Sequence, residues 1–221
     1  MPRVMAPPDI ETVSAILGRH AALYRRMKPT YQTQLLASLS GLWDPAHRAV
    51  LDVGGGTGLL AEAMHHVFKL DRVVSVDIDD RFLPGLGIET AQFDGTQLPF
   101  GNGSFDAVVL NNVLHHVPRP ARPALLRDCV RVSRGPIYIK DHISASRLDT
   151  LRLAVLDVIG NVPFSGMVTA HYLAPRAWVE LAAAAGLVIE AETGGPYRTG
   201  LMARIFPNRL EATMRLARVS H

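Results

Sequence analysis

Asp52, Gly54, Gly55, Gly56 and Gly58 fall within seven residues, at the end of the apolar run Ala49 to Val53. A short strand that runs into a glycine turn and then a helix N-terminus lets a ligand lie against backbone. Two ligand chemistries compete for such a turn. A dinucleotide site wants glycine at relative positions one, three and six. Counted from Gly54 the sixth residue is Leu59, and counted from Gly55 the third is Thr57, so the spacing fails in both registers. Asp52 stands two residues before the first glycine. A carboxylate there is expected to repel a pyrophosphate and to favour a cation. A turn without any ligand would carry the entropy cost of four glycines in five residues with no return.

Further chemistry-bearing residues follow at strand ends. Arg72 to Asp77 reads as a second strand, and Asp77 comes 19 residues after Gly58. A carboxylate at that place can accept hydrogen bonds from both ribose hydroxyls of a nucleoside. Asp94-Gly95 follows a third strand, Ile88 to Phe93, and Asn111 closes a fourth, Ala107 to Asn111. His115 and His116 come next. A fifth strand, Ile137 to His142, ends in Lys140, Asp141 and His142. Carboxyl ends of strands form the binding crevice of an open α/β sheet, so these polar tips belong near a substrate. His142, or one of His115 and His116, could take a proton, and Asp141 could hold a histidine ring in one tautomer. Capping or mutual pairing would explain the same residues without catalysis. A metal role is not expected of His65 and His66, because neighbouring helix residues point about 100° apart. No metal site is expected.

The segment Asp52-x-Gly54-x-Gly56-x-Gly58 resembles the first motif of the class I S-adenosylmethionine-dependent methyltransferases. Asp94-Gly95, Leu98-Pro99-Phe100 and Ser104-Phe105-Asp106 resemble the type 11 methyltransferase-domain family, whose members act on small molecules. The likeness runs from about Ala49 to Phe206. It implies S-adenosylmethionine as cofactor, with Asp52 and the glycines at its cationic end and Asp77 with Ile78 at the ribose. It places Asp94 and Gly95 at the adenine amino group and the backbone near Asn111 at the ammonium. Enzymes that methylate adenine or glutamine amides carry Asn-Pro-Pro-Tyr or a close variant where this chain has Asn111-Asn112-Val113-Leu114, which argues against those acceptors. The expected fold is α/β and Rossmann-like, a seven-stranded, mostly parallel sheet of order 3-2-1-4-5-7-6 with helices on both faces.

The rest of the chain must position these groups. At 221 residues and 48% apolar composition it suits one domain with a small cap. We divide it into an N-terminal helical lid or cap, 1–45, and a methyltransferase domain, 46–221. The pattern from Asp9 to Met27 is helical, with Gly18 as a weak point, and Thr30 to Leu42 reads as a second helix. These helices fit a lid and fit plain packing equally well. Gly58 to Phe68, Ala124 to Val132, Arg147 to Gly160 and Pro175 to Ala185 read as helices, and Asn161 to Tyr172 as a loop over the pocket. Leu187 to Glu192 and Leu201 to Phe206 are expected to be the sixth and seventh strands, with Asn208 to Val219 a last helix rich in arginine.

Charge and cysteine usage narrow the partners. The 23 basic and 20 acidic side chains give +3, too small an excess to argue for nucleic acid. The single cysteine, Cys129, makes a reducing cytoplasm the expected compartment. No apolar run reaches membrane-spanning length, and the first residues lack the apolar core of a secretion signal. The expected activity is methyl transfer to a small-molecule acceptor. The alternatives are a methyltransferase acting on RNA or protein, and a module that binds S-adenosylmethionine without catalysis. The acceptor atom, any need for a base, and the oligomeric state stay open at this level.

Overall fold

The computed structural model describes residues 5–161 and 170–219. At its centre lies β1, Ala49–Val53. It pairs in parallel with β2, Arg72–Asp77, on one side and with β4, Ala107–Asn111, on the other. A strand flanked on both edges and covered on both faces must be apolar nearly throughout, and β1 is. β3, Glu89–Gln92, adds to β2 as an outer parallel strand, and β5, Ile137–His142, adds to β4. β7, Glu211–Arg218, runs antiparallel to β5, and β6, Leu187–Thr193, closes the sheet against β7. The order is β3-β2-β1-β4-β5-β7-β6, as expected.

Alternate residues of each central strand feed two buried layers. Leu51, Val53, Val74, Val76, Val108 and Leu110 pack on one face with α5, Arg122–Val132, and α7, Pro175–Ala184. Cys129 is buried in that layer, and burial raises its thiol pKa. Val50, Val73, Ala107 and Val109 point to the other face. There they meet α4, Leu59–Val67, together with α1, Ile10–His20, and α3, Thr30–Ser40. Between α1 and α3 lies a short helix, α2, Leu23–Arg26. The N-terminal helices therefore share a core with the sheet: Val13, Leu17, Leu36 and Leu39 are all fully buried.

Several element assignments need correction. The helix expected over Asp9 to Met27 breaks at Ala21, whose extended backbone caps α1, and not at Gly18. Leu201 to Phe206, expected as the seventh strand, is α8, Gly200–Ile205. Asn208 to Val219, expected as a helix, is one 3-10 turn followed by β7. Apolar Ala212, Met214 and Leu216 alternate with polar Glu211, Thr213 and Arg215, and that period of two is a strand's. Its arginines do not make a basic face either. Arg209 forks onto Asp149 with two bonds of 2.9 Å, Arg215 pairs with Glu190, and Arg218 donates to the carbonyls of Val130 and Ser133. The loop expected over 161–172 lies largely outside the described residues.

Candidate active site

A cavity of about 1100 Å³ opens along the carboxyl ends of β1, β2, β4 and β5. At one end sits the glycine turn between β1 and α4. Gly54, Gly56 and Gly58 take left-handed backbone, φ +76°, +57° and +77°. At Gly55 a side chain has no room: a Cβ would lie 2.6 Å from Asp52 Oδ2 and closer still to Ser75 Oγ. The turn's amides are consumed internally. Gly54 and Gly55 both donate to the carbonyl of Val76, at 2.7 and 3.1 Å, and Gly56 donates to Asp77 Oδ2 at 2.7 Å. The turn therefore offers the cavity little of the ring of open donors that a diphosphate needs.

Asp52 does not supply the repulsion expected of it. It is buried beneath the turn, accepts from Ser75 Oγ at 2.7 Å and does not line the cavity. Burial pushes its carboxyl up to about 7. Its role here is to hold the turn down on β2. Gly58 also lies off the cavity. It starts α4, and a Cβ there would meet Leu86 Cδ1 at 2.5 Å. The other residues proposed from sequence for the cofactor do line the cavity: Gly54, Gly56, Asp77, Ile78, Asp94, Gly95 and Asn111.

Each of these brings a distinct surface. Asp77 ends β2 and keeps Oδ1 for the Asp79 amide at 3.1 Å, with Arg81 Nη2 at 3.5 Å. Asp94 Oδ1 accepts from the amides of Thr96 and Gln97 at 2.8 and 3.1 Å, and the Thr96 hydroxyl together with these amides holds its carboxyl below the usual range. Ile78 is an exposed apolar side chain beside it. Asn111 carries a buried side chain whose oxygen and nitrogen have no hydrogen-bond partner among the described residues, at the wall of the cavity.

The far end is built from three elements. His116, in the segment after β4, and His142, at the tip of β5, both line the cavity. Asp141 points away from it and is fully buried. It holds His115: Asp141 Oδ1 is 2.5 Å from His115 Nδ1, and its oxygens also accept from the amides of Leu114 and His142. The ring that Asp141 orients is thus His115, which does not line the cavity. His142 Nε2 is 3.1 Å from Asp157 Oδ1 on α6, Arg147–Asn161, and burial lowers the His142 imidazole to about 4. Lys140 is buried away from the cavity. Its ammonium contacts Tyr31 Oη, Asn112 Oδ1 at 2.8 Å and the Glu211 carboxylate, which Arg198 also engages.

Tyr31, Asp157, Tyr197 and Glu211 line the cavity as well, and sequence reading passed over them. Asp157 carried a faint signal, an acid four residues after Leu153 on the buried side of an amphipathic helix. Tyr31 and Glu211 carried none, because 180 residues separate two side chains joined by a 2.9 Å hydrogen bond.

Comparison with known proteins agrees with this geometry. Residues 51–136 match the family described as a methyltransferase domain. An uncharacterized methyltransferase from Mycobacterium sp. (strain JLS) is 37% identical over 109 residues, covering 44% of this chain and 42% of that protein. The match thus spans about half the length of such relatives. Among solved structures, the mitomycin 7-O-methyltransferase MmcR superposes with a TM-score of 0.63 at 18% identity, over 86% of this chain and 53% of that one. The magnesium protoporphyrin IX methyltransferase from Synechocystis PCC 6803, with SAH bound, gives 0.59 at 17%, over 90% and 88%. The cofactor of such a domain is S-adenosylmethionine, and the residues present fit it: a turn with no place for a Cβ at Gly55, acids at the ends of β2 and β3, and an unpartnered buried amide at Asn111. The chain carries the class I S-adenosylmethionine-dependent methyltransferase fold, and its residues 51–136 belong to the type 11 methyltransferase-domain family.

Proposed function

We propose that this chain transfers a methyl group from S-adenosylmethionine to a small-molecule acceptor held in the same cavity. The observation that carries the reading is the single cavity of about 1100 Å³ that joins the glycine turn to the histidines. Pockets for one drug-sized ligand run to roughly 300–1,000 Å³, so this one has room for a donor and a compact acceptor together.

The bound cofactor supplies a methyl already activated on a sulfonium. The chain's task is then to hold the acceptor at near-attack distance and to exclude water. Asp77 receives the ribose hydroxyls, and Asp94 receives the adenine amino group while Ile78 and Gly95 cover the base. Asn111 receives the ammonium through its carbonyl and its unpartnered side chain. His116 and His142 border the acceptor, and His142 stays uncharged at neutral pH because burial disfavours its cation. The N-terminal segment, 1–45, serves as a cap, with Tyr24 and Tyr31 forming part of the wall. A polymer substrate is disfavoured by charge. Arg198, the basic side chain deepest in this wall, is already engaged by Glu211.

The test is turnover. The purified chain is incubated with S-adenosylmethionine and a panel of hydroxyl, amine and thiol acceptors, and S-adenosylhomocysteine is followed by mass spectrometry. Release of product with a small acceptor supports the reading. Tight binding with turnover only on RNA or protein contradicts it.

A further inference from the structure

Behind the acceptor end of the cavity three buried side chains converge from three elements: His115 after β4, His142 at the tip of β5, and Asp157 in α6. Each offers one ligand atom, and these atoms lie within 4.8 Å of one another. Asp157 Oδ1 is 3.1 Å from His142 Nε2, and Asp157 Oδ2 is 3.5 Å from His115 Nε2. Ligands bound at about 2.0–2.2 Å to one first-row ion stand about 3 Å apart, so the cluster needs only a small inward adjustment.

Hydrogen bonding fixes the character of His115. Asp141 accepts from the Leu114 and His142 amides and from the His115 ring, so the proton of the neutral ring sits on Nδ1. Nε2 then carries a lone pair. It is buried, it has no hydrogen-bond partner among the described residues, and it faces a carboxylate oxygen of Asp157. Two acceptors aimed at each other in a dry site repel unless a positive charge lies between them. Tyr172 Oη donates to that same oxygen, Asp157 Oδ2, which gives His115 Nε2 no donor of its own.

From this we infer that His115, His142 and Asp157 bind a divalent first-row transition-metal ion, with Asp141 as the carboxylate that orients His115. Two imidazoles and a carboxylate suit zinc and its neighbours. A carboxylate on the remote nitrogen of a ligating histidine is the usual outer support of such a site. Three protein ligands leave further coordination positions, and His142 and Asp157 border the cavity, so those positions face the acceptor. The inference extends the methyl-transfer reading: the acceptor class becomes a hydroxyl compound, whose oxygen the ion holds while its proton leaves to solvent. The acceptor oxygen then forms the new bond to the methyl carbon as the carbon–sulfur bond breaks.

A second group, Glu62 with His65 and His66, also has ligand spacing. There Glu62 accepts from the Gly87 amide at 2.8 Å and stands within 3.3 Å of His20 Nε2 and His66 Nε2, but among the described residues no second carboxylate fixes either ring's tautomer, so each can turn an N–H toward Glu62 and no such conflict is forced. It serves as the internal control.

The test is titration of the chelator-stripped full chain with Zn²⁺ by calorimetry, followed by anomalous diffraction from a zinc-soaked crystal. The expected result is one ion per chain, placed among His115, His142 and Asp157. Asp157→Asn and His142→Gln should each weaken binding at least a hundredfold, and Asp141→Asn ten- to a hundredfold. His66→Ala should leave it unchanged. Thermal melts without zinc identify any variant that fails to fold, and a folded His142→Gln is sufficient for the decision. The inference is overturned by no zinc binding, by binding unchanged in folded His142→Gln, or by an ion found only at Glu62–His66. It is also overturned if nitrogen NMR shows His115 as an imidazolium, with a proton in the ion's place. S-adenosylmethionine affinity is measured on the same samples. Intact donor binding without zinc defeats the metal alone, and zinc binding without donor binding defeats the methyl-transfer reading.

Discussion

Asp77 Oδ2 accepts the Gly56 N–H at 2.7 Å, across 21 residues of chain. One carboxylate at the end of β2 thereby closes the glycine turn at the end of β1 and still borders the cavity. The same bond removes an amide that a phosphate would otherwise use. The spent amides, and not the charge of Asp52, are what leaves this turn ill-suited to a diphosphate.

Asp77→Ala should weaken S-adenosylmethionine binding tenfold or more. Hydrogen bonds to a charged group are worth about 1.5–3 kcal/mol each, and 1.4 kcal/mol is a factor of ten. Calorimetric titration of the variant measures it. Asp77→Asn should recover part of the loss, since an amide oxygen still accepts from Gly56.

The glycines should separate by mechanism. Gly56→Ala meets no atom within 4 Å and suffers only from its φ of +57°, a cost of about 1–2 kcal/mol. Gly55→Ala drives a Cβ into the Ser75–Asp52 hydrogen bond. Overpacking and the broken buried bond together should cost about 3 kcal/mol or more. Urea unfolding of both variants gives the comparison, and equal midpoints would refute the packing described at Gly55.

Asp52 should make stability fall as pH rises. Its carboxyl is raised from 3.8 to about 7 by burial, so the folded chain holds a proton there that the unfolded chain releases. The contribution is fully present below about pH 4 and is lost as pH rises through 7. Asp52→Asn removes this slope. Its stability relative to wild type should grow between pH 4 and 7 by on the order of 2–4 kcal/mol. Because Asp52 lies beneath the turn, the same variant should bind S-adenosylmethionine within a few-fold of wild type.

Tyr31→Phe should loosen the N-terminal cap. Tyr31 Oη donates to Glu211 at 2.9 Å, accepts from Asn112 at 3.1 Å and contacts the Lys140 ammonium. Removing the hydroxyl leaves buried partners short of a bond, at about 1–3 kcal/mol. Hydrogen exchange of α3 amides should accelerate while the β1 and β4 amides stay protected. Unchanged exchange in α3 would show that apolar packing alone holds the cap.

Local patterns made the central sheet legible. Ala49 to Val53, Arg72 to Asp77 and Ala107 to Asn111 are largely apolar runs with a polar residue at the tip or just before it, and their order in the sheet followed from the resemblance. The C-terminal quarter misled because Leu, Ala, Met, Arg and Glu all favour helix, and propensity outweighed the alternation of Ala212, Met214 and Leu216. Pairing with β5 and β6 decides that element, and such pairing has no local signature. The site divides in the same way. Asp77, Asp94 and Asn111 stand at strand ends and could be found by position. Asp52 was given the wrong role, because a carboxylate two residues before a glycine turn can point into the cavity or under the turn, and the partner that draws it under, Ser75, lies on the next strand. Asp157 and Glu211 reach the cavity only through tertiary packing.

The most direct measurement is calorimetric titration of the chain with S-adenosylmethionine and, separately, with NADH. The account predicts one donor molecule bound per chain, displaced by S-adenosylhomocysteine, and no heat from the dinucleotide. NADH binding in competition with S-adenosylmethionine, or no binding of the sulfonium at all, would contradict it.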